Sequence, residues 1–162
     1  LTEKAATRKC LAVVRVRGVI SAQREARETL EMLRLVRINH AVLIDNRPSY
    51  LGMLSRVQNY VTWGEVSKET VALLLKKRGR LAGNKKLTDE YAQKIGYASL
   101  DALAEAIANC KVEYQKLPSI QPVLRLPPPS KGFKGKIKKS YSSGGEAGYR
   151  GEAINELIKR MV

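Results

Sequence analysis

The first 66 residues alternate short apolar runs with apolar positions at helical spacing, and this order constrains the chain most. Leu11–Arg17 (LAVVRVR) reads as a strand centred on Val13 and Val14, with Arg15 and Arg17 on one face and Gly18 ending it. Ala22, Ala26, Leu30 and Leu33 then recur as one face of a helix, which turns Arg24, Arg27, Glu28, Glu31 and Arg34 outward. His40–Asp45 (HAVLID) is a second strand. Pro48 opens a helix with Tyr50, Leu54 and Val57 on its inner side, and Val61–Glu65 is a third strand. A β-α-β-α-β order of this length gives a compact α+β unit with helices packed on one sheet.

The remainder differs in kind. Ser67 can cap a helix running to about Lys77, Thr88 a short helix stopping at Gly96, and Ser99 a helix with Leu100, Leu103, Ile107 and Cys110 inward. Pro118, Pro122 and Pro127-Pro128-Pro129 favour extended chain, and the segment SKGFKGKIKKSYSSGGEAGYRG has too few apolar groups to pack on itself. Ile154, Leu157, Ile158 and Met161 then form the face of a helix that must dock on something. The organisation expected is a basic N-terminal extension (1–10), the β-α-β-α-β core (11–66), a helical annex (67–116), a Pro/Gly/Lys-rich loop (117–151) and a C-terminal docking helix (152–162). The loop is anchored on both sides, and it is expected to become ordered when it lies along phosphates.

Charge decides the class of partner. The 162 residues carry 30 Lys+Arg against 15 Asp+Glu, a formal net charge of +15, with 44% apolar residues to build a core. A folded body this basic points to a polyanion, either nucleic acid or an acidic membrane surface. With 6% aromatics, stacking of single strands on rings is not the main mode of binding. The longest apolar run, Val71–Leu75, is far too short to span a bilayer, and the first ten residues hold no secretory apolar region. Cys10 and Cys110 lie far apart beside a single His, which gives no zinc ligand set and fits two thiols in a reducing cytosol. His40 reads as a structural hydrogen-bonding residue. The glycines of GFKGK and GGEAGYRG lack nucleotide-loop spacing, and no carboxylate pair stands apart from bases. No catalytic residue, metal, cofactor or small-molecule substrate is expected.

The candidate phosphate contacts fall in three groups. Arg15, Arg17, Arg24 and Arg27 belong to the first strand and helix. Lys76, Lys77, Arg78, Arg80, Lys85 and Lys86 form a cluster without an acid. Arg125, Lys131, Lys134, Lys136, Lys138, Lys139 and Arg150 line the loop, where Tyr141 and Tyr149 can stack or donate a hydrogen bond. From Arg125 to Arg150 there are seven basic residues and one acid, Glu146. Such contacts position a protein on folded RNA and read no base sequence. A free-standing nucleic-acid regulator or chaperone has the same composition, whereas an RNA-modifying enzyme would need a cofactor pocket that no motif here supplies.

Particular segments resemble a known family. VVRVRGVISAQREARETLEMLRLVRINHAVLIDN is similar to the first strand, helix and second strand of the large-subunit ribosomal protein family numbered thirty in bacteria and seven in eukaryotes. RPSYLGMLSRVQNYVTWGEV, with Gly52-Met53 and Trp63-Gly64, resembles its second helix and third strand. VTWGEVSKETVALLLKKRG, LTDEYAQKIGYASLDALAEAI and GGEAGYRGEAINELIKRMV resemble later stretches of the longer archaeal and eukaryotic form, in the family's order. The eukaryotic form has a long basic extension where this chain has about ten residues, so the length looks archaeal; Leu1 in place of Met points to a processed or incompletely written start. The resemblance implies a ferredoxin-like core with a three-stranded antiparallel sheet and two helices. It also implies a non-catalytic structural role in the cytoplasmic large ribosomal subunit, with rRNA and neighbouring large-subunit proteins as partners.

Overall fold

The computed structural model describes residues 8–162, so most of the expected N-terminal extension lies outside the described residues. Within them the chain forms β1 (Cys10–Arg15), α1 (Arg24–Met32), β2 (His40–Asp45), α2 (Pro48–Arg56) and β3 (Val61–Glu65). There follow α3 (Lys68–Arg78), α4 (Asp89–Lys94), α5 (Leu100–Ala108), β4 (Leu124–Arg125), β5 (Lys136–Ser140), β6 (Gly145–Tyr149) and α6 (Ile154–Met161). The fold is α+β.

The centre of the sheet is antiparallel. Val13 of β1 lies opposite Val42 of β2 and Trp63 of β3. The expected three-stranded sheet needs correction, because the strands form one mixed six-stranded sheet in the order β4-β2-β1-β3-β6-β5. A three-stranded sheet would leave the backbone groups along the outer edges of β2 and β3 without partners. Here β4 covers the first edge antiparallel, and β6 covers the second in parallel. β5 then pairs with β6 through an irregular parallel register. Both outer strands come from the segment whose composition reads as extended loop. Their hydrogen bonds run to distant parts of the chain, where local periodicity carries no signal.

Successive strand residues point to opposite faces, and both faces are covered. Leu11, Val13, Val42, Ile44 and Val61 pack with Ala26 and Leu30 of α1 and Leu54 of α2. Cys10, Ala12, Val14, Ala41 and Leu43 pack with Val71, Leu74 and Leu75 of α3, Leu103 and Ile107 of α5, and Ile154, Leu157 and Ile158 of α6. This second layer explains why β1 is buried along its whole length and why LAVV is continuously apolar rather than alternating. At roughly 1.5–3 kcal/mol for each large apolar side chain fully buried, the second layer is a principal source of stability.

Local signals explain most element ends. The Ser67 and Ser99 hydroxyls accept from the backbone N–H groups of Thr70 and Ala102, as N-caps do. Thr88 makes no such side-chain bond; the Asp89 carboxylate instead accepts from the backbone N–H of Leu100. β1 ends at Arg15 rather than Arg17, because the N–H groups of Val16 and Arg17 both turn to the Tyr60 carbonyl, at 2.9 and 3.3 Å. Gly64 allows β3 to meet the turn before α6: a Cβ there would lie 1.8 Å from the Gly151 carbonyl oxygen.

Candidate nucleic-acid interface

The basic residues separate into those that brace the fold and those that face solvent. Arg15 is 5% exposed. Its Nε donates to the Arg17 carbonyl at 3.0 Å and its Nη1 to the Leu35 carbonyl at 3.1 Å, which joins the end of β1 to the loop before β2. Arg150 is also buried. Its Nη2 donates to the Glu146 carboxylate at 2.7 Å and to the Glu146 carbonyl at 2.6 Å, and its Nε donates to the Thr62 hydroxyl at 2.7 Å. The Thr62 hydroxyl in turn donates to the Gly148 carbonyl at 2.9 Å. Burial alone would raise the Glu146 pKa, but hydrogen bonds from Arg150 and from the Gly135 backbone N–H outweigh it and hold the carboxyl below its ordinary range.

The rings of the same region are also engaged. The Arg150 guanidinium lies 4.9 Å from the centre of the Tyr141 ring. The Tyr149 hydroxyl donates to the Glu65 carboxylate at 2.6 Å, and its ring sits 6.3 Å from that of Trp63. Both tyrosines keep an exposed side.

Three surfaces carry most of the other candidate cations. On the outer strand β5, Lys136, Lys138 and Lys139 are exposed, with Lys131 and Lys134 just before them. Only Lys134 of these five is paired with a carboxylate among the described residues, at 3.3 Å from Glu156. Lysines along an outer strand also discourage edge-to-edge pairing, so the pattern has a structural use of its own.

At the end of α3, Lys76, Lys77 and Arg78 sit in the last turn, where a helix dipole favours cations. A short hairpin bridging Arg80 to Lys86 extends this surface. Lys76 meets Asp101 of α5 at 2.9 Å, a pairing invisible in the local sequence. Arg80 donates to the carbonyl of Gly79 at 2.9 Å. Lys77, Lys85 and Lys86 are exposed and make no ion pair with a carboxylate among the described residues.

The third surface is the end of the sheet where β1 and β4 finish and β2 begins. Arg125 of β4 lies opposite His40 of β2, and Arg17 lies 5.5 Å from the centre of the Tyr60 ring. Arg34 and Arg37, absent from the sequence-based set, are exposed on the loop between α1 and β2. Residues 32–44 contain no Asp or Glu, a signal that could have found them. His40 is held below its ordinary pKa by partial burial and by the charges of Arg125, Arg37 and Arg15. On α1, Arg24 pairs with Glu28 at 2.8 Å, and Arg27 is exposed.

The thiols are not poised for nucleophilic chemistry. Burial pushes Cys10 up to about 12, and burial also raises Cys110. Among the described residues no group of three His, Cys, Asp or Glu side chains could hold a metal ion, and no helix is long and apolar enough to cross a membrane.

Comparison with known proteins places this geometry. Residues 11–61, the span from β1 to the start of β3, match the family model described as ribosomal protein L30p/L7e. The large ribosomal subunit protein uL30 of Thermofilum pendens is 50% identical over 93% of this chain and 97% of its own length. The chain belongs to the L30p/L7e family. The family's proteins of the same name from Methanopyrus kandleri and Archaeoglobus fulgidus are 48% and 50% identical, covering 91% and 93% of this chain and 100% and 98% of their own lengths. The likeness therefore extends through α3–α6 and the outer strands, well past the segment the family model matches. Family membership makes the chain a ribosomal protein of the archaeal type, a structural component and not an enzyme.

Proposed function

We propose that this chain works as a structural constituent of the large ribosomal subunit that binds rRNA through exposed cations on a rigid body and stabilises the folded RNA. Neighbouring large-subunit proteins complete its surroundings. The observation that carries this reading is the mounting of residues 114–145, a stretch without Asp or Glu. It is fixed on one side by β4 on β2 and on the other by β6 on β3. The backbone N–H of Ser130 also donates to the Arg160 carbonyl of α6 at 2.9 Å. Lysines on such a frame meet phosphates with part of the ordering cost already met by folding.

The contact set we propose is Arg17, Arg24, Arg27, Lys76, Lys77, Arg78, Arg80, Lys85, Lys86, Arg125, Lys131, Lys134, Lys136, Lys138 and Lys139, with Tyr141 and Tyr149 at its margin. Arg15 and Arg150 serve it indirectly, by holding the loops that present these groups. The test is a salt titration of binding to large-subunit rRNA. Lys134→Gln, Lys136→Gln, Lys138→Gln and Lys139→Gln together should lower the slope of log affinity against log salt by roughly 3 to 4, about 0.7–0.9 for each phosphate no longer neutralised. An unchanged slope would show that these lysines face solvent in the complex.

A further inference from the structure

Resting on that rRNA reading, we propose that the end of the sheet bearing Ile20, Val36 and Ile38 among Arg17, Arg34, Arg37 and Arg125 docks RNA by laying its apolar side chains against an unstacked base or ribose while the arginines hold the flanking phosphates. Ile20 is 98% exposed, Val36 59% and Ile38 48%. Large aliphatic side chains grouped in this way mark a surface that meets something else. β1 ends and β2 begins at this end of the sheet, and an ideal Cβ on Gly18, two residues before Ile20, would lie 3.9 Å from Ile38 Cδ1, which brings the turn carrying Ile20 beside the loop carrying Val36 and Ile38.

The face is built before any partner arrives. Leu35 is fully buried, and its carbonyl accepts from Arg15. The Asn39 backbone N–H donates to the Arg15 carbonyl at 2.8 Å, and the Asn39 carbonyl accepts from the Leu126 N–H at 3.3 Å. Arg34 and Asn39 adopt left-handed backbone conformations, with φ of 64° and 68°, one on each side of residues 35–38. Val36, Arg37 and Ile38 therefore project from a short loop pinned at both ends. Ile20 stands on a turn closed by the Ala22 N–H donating to the Val19 carbonyl at 3.0 Å.

Charge selects the occupant. The stretches that meet here, 15–20, 32–41 and 124–126, contain no Asp or Glu. A polyanion with exposed apolar rings satisfies both features of the surface: arginine binds phosphate through two donors, and aliphatic wedges pack against bases turned out of a stack. This mode differs from that of β5, where lysine charge dominates.

Two variants separate the contributions to rRNA affinity. Ile20→Ser, at a position that packs on almost nothing within the chain, should weaken binding about 10-fold while leaving the salt slope unchanged. Arg34→Gln with Arg37→Gln should lower the slope by roughly 2. Unchanged affinity for Ile20→Ser would overturn the proposal. A benzophenone side chain placed at position 20, or in a separate chain at position 138, then reports the neighbour after irradiation of assembled large subunits. Cross-links to rRNA from both positions are expected. Cross-links to rRNA from 138, with only protein or nothing captured at 20, would overturn the docking face and leave the rRNA reading standing. Failure of both positions to capture rRNA would overturn the rRNA reading itself.

Discussion

The pair formed by Arg150 and Glu146 shows how a charge read as an RNA contact becomes part of the fold. Both side chains are buried, and Thr62 and the Gly135 N–H satisfy what the pair leaves open. Removing one partner strands the other charge. Arg150→Met should destabilise the protein by about 3–5 kcal/mol in a denaturant titration, whereas replacing both residues by apolar ones of similar volume should cost less. Equal losses in the single and double variants would contradict the coupling. The sequence shows the identity and the (i, i+4) spacing of these residues. It does not show that Thr62, 88 residues away from Arg150, accepts from the guanidinium.

Three carboxyls share a pH signature. Burial would raise Asp45, Glu113 and Glu146, but hydrogen bonds from Arg47 to the first two and from Arg150 to the third outweigh it and lower all three. A carboxyl whose folded pKa lies below its unfolded value binds protons less readily when folded. Its stabilisation is therefore complete above the unfolded carboxylate range near 4 and is lost as pH falls through the folded value. Thermal unfolding followed by circular dichroism should show the melting temperature falling as pH drops below about 4, and less steeply in Glu146→Gln. His40, the single histidine, has the opposite charge type and should titrate by NMR below its ordinary value of about 6.5, because partial burial and then the charges of Arg125, Arg37 and Arg15 disfavour its protonated form. A value above that would contradict the partial burial of His40 among these arginines.

At the scale of elements, the strands and helices of the first 66 residues are legible because each carries its own period. β2 and β3 match their expected bounds, and α2 begins at Pro48. The serine caps of α3 and α5 are equally local. β5 and β6 are not legible. KIKKS and GEAGY show no apolar alternation, and they are strands because β3 offers an edge and glycine allows close approach. A Cβ on Gly145 would meet the Lys139 carbonyl oxygen at 2.1 Å. With one neighbour and exposed side chains, β5 belongs to the less stable part of the fold. Its amides should exchange hydrogen faster than those of β1 in the free protein and slow on binding rRNA. Protection equal to that of β1 without RNA would contradict this ranking.

At the scale of the molecule, the sheet is a slab covered on both faces, and its outer strand β5, one of its ends and the end of α3 with the hairpin after it carry exposed cations. The helices after β3 read as an annex from sequence, because amphipathic faces do not name the surface they cover; in the fold they form the second layer. Leu74, fully buried in that layer, should cost about 2–5 kcal/mol when changed to Ala. A loss similar to that of an exposed position would mean the layer is not packed as described.

The central claim is that this rigid, basic body resides on large-subunit RNA. Sedimentation of a cell extract on a sucrose gradient, with the chain quantified by mass spectrometry against other large-subunit proteins, tests it directly. The account predicts one copy per large subunit, retained at moderate salt and released as salt rises. Recovery of the chain mainly at the top of the gradient at low salt, free of large subunits, would contradict it.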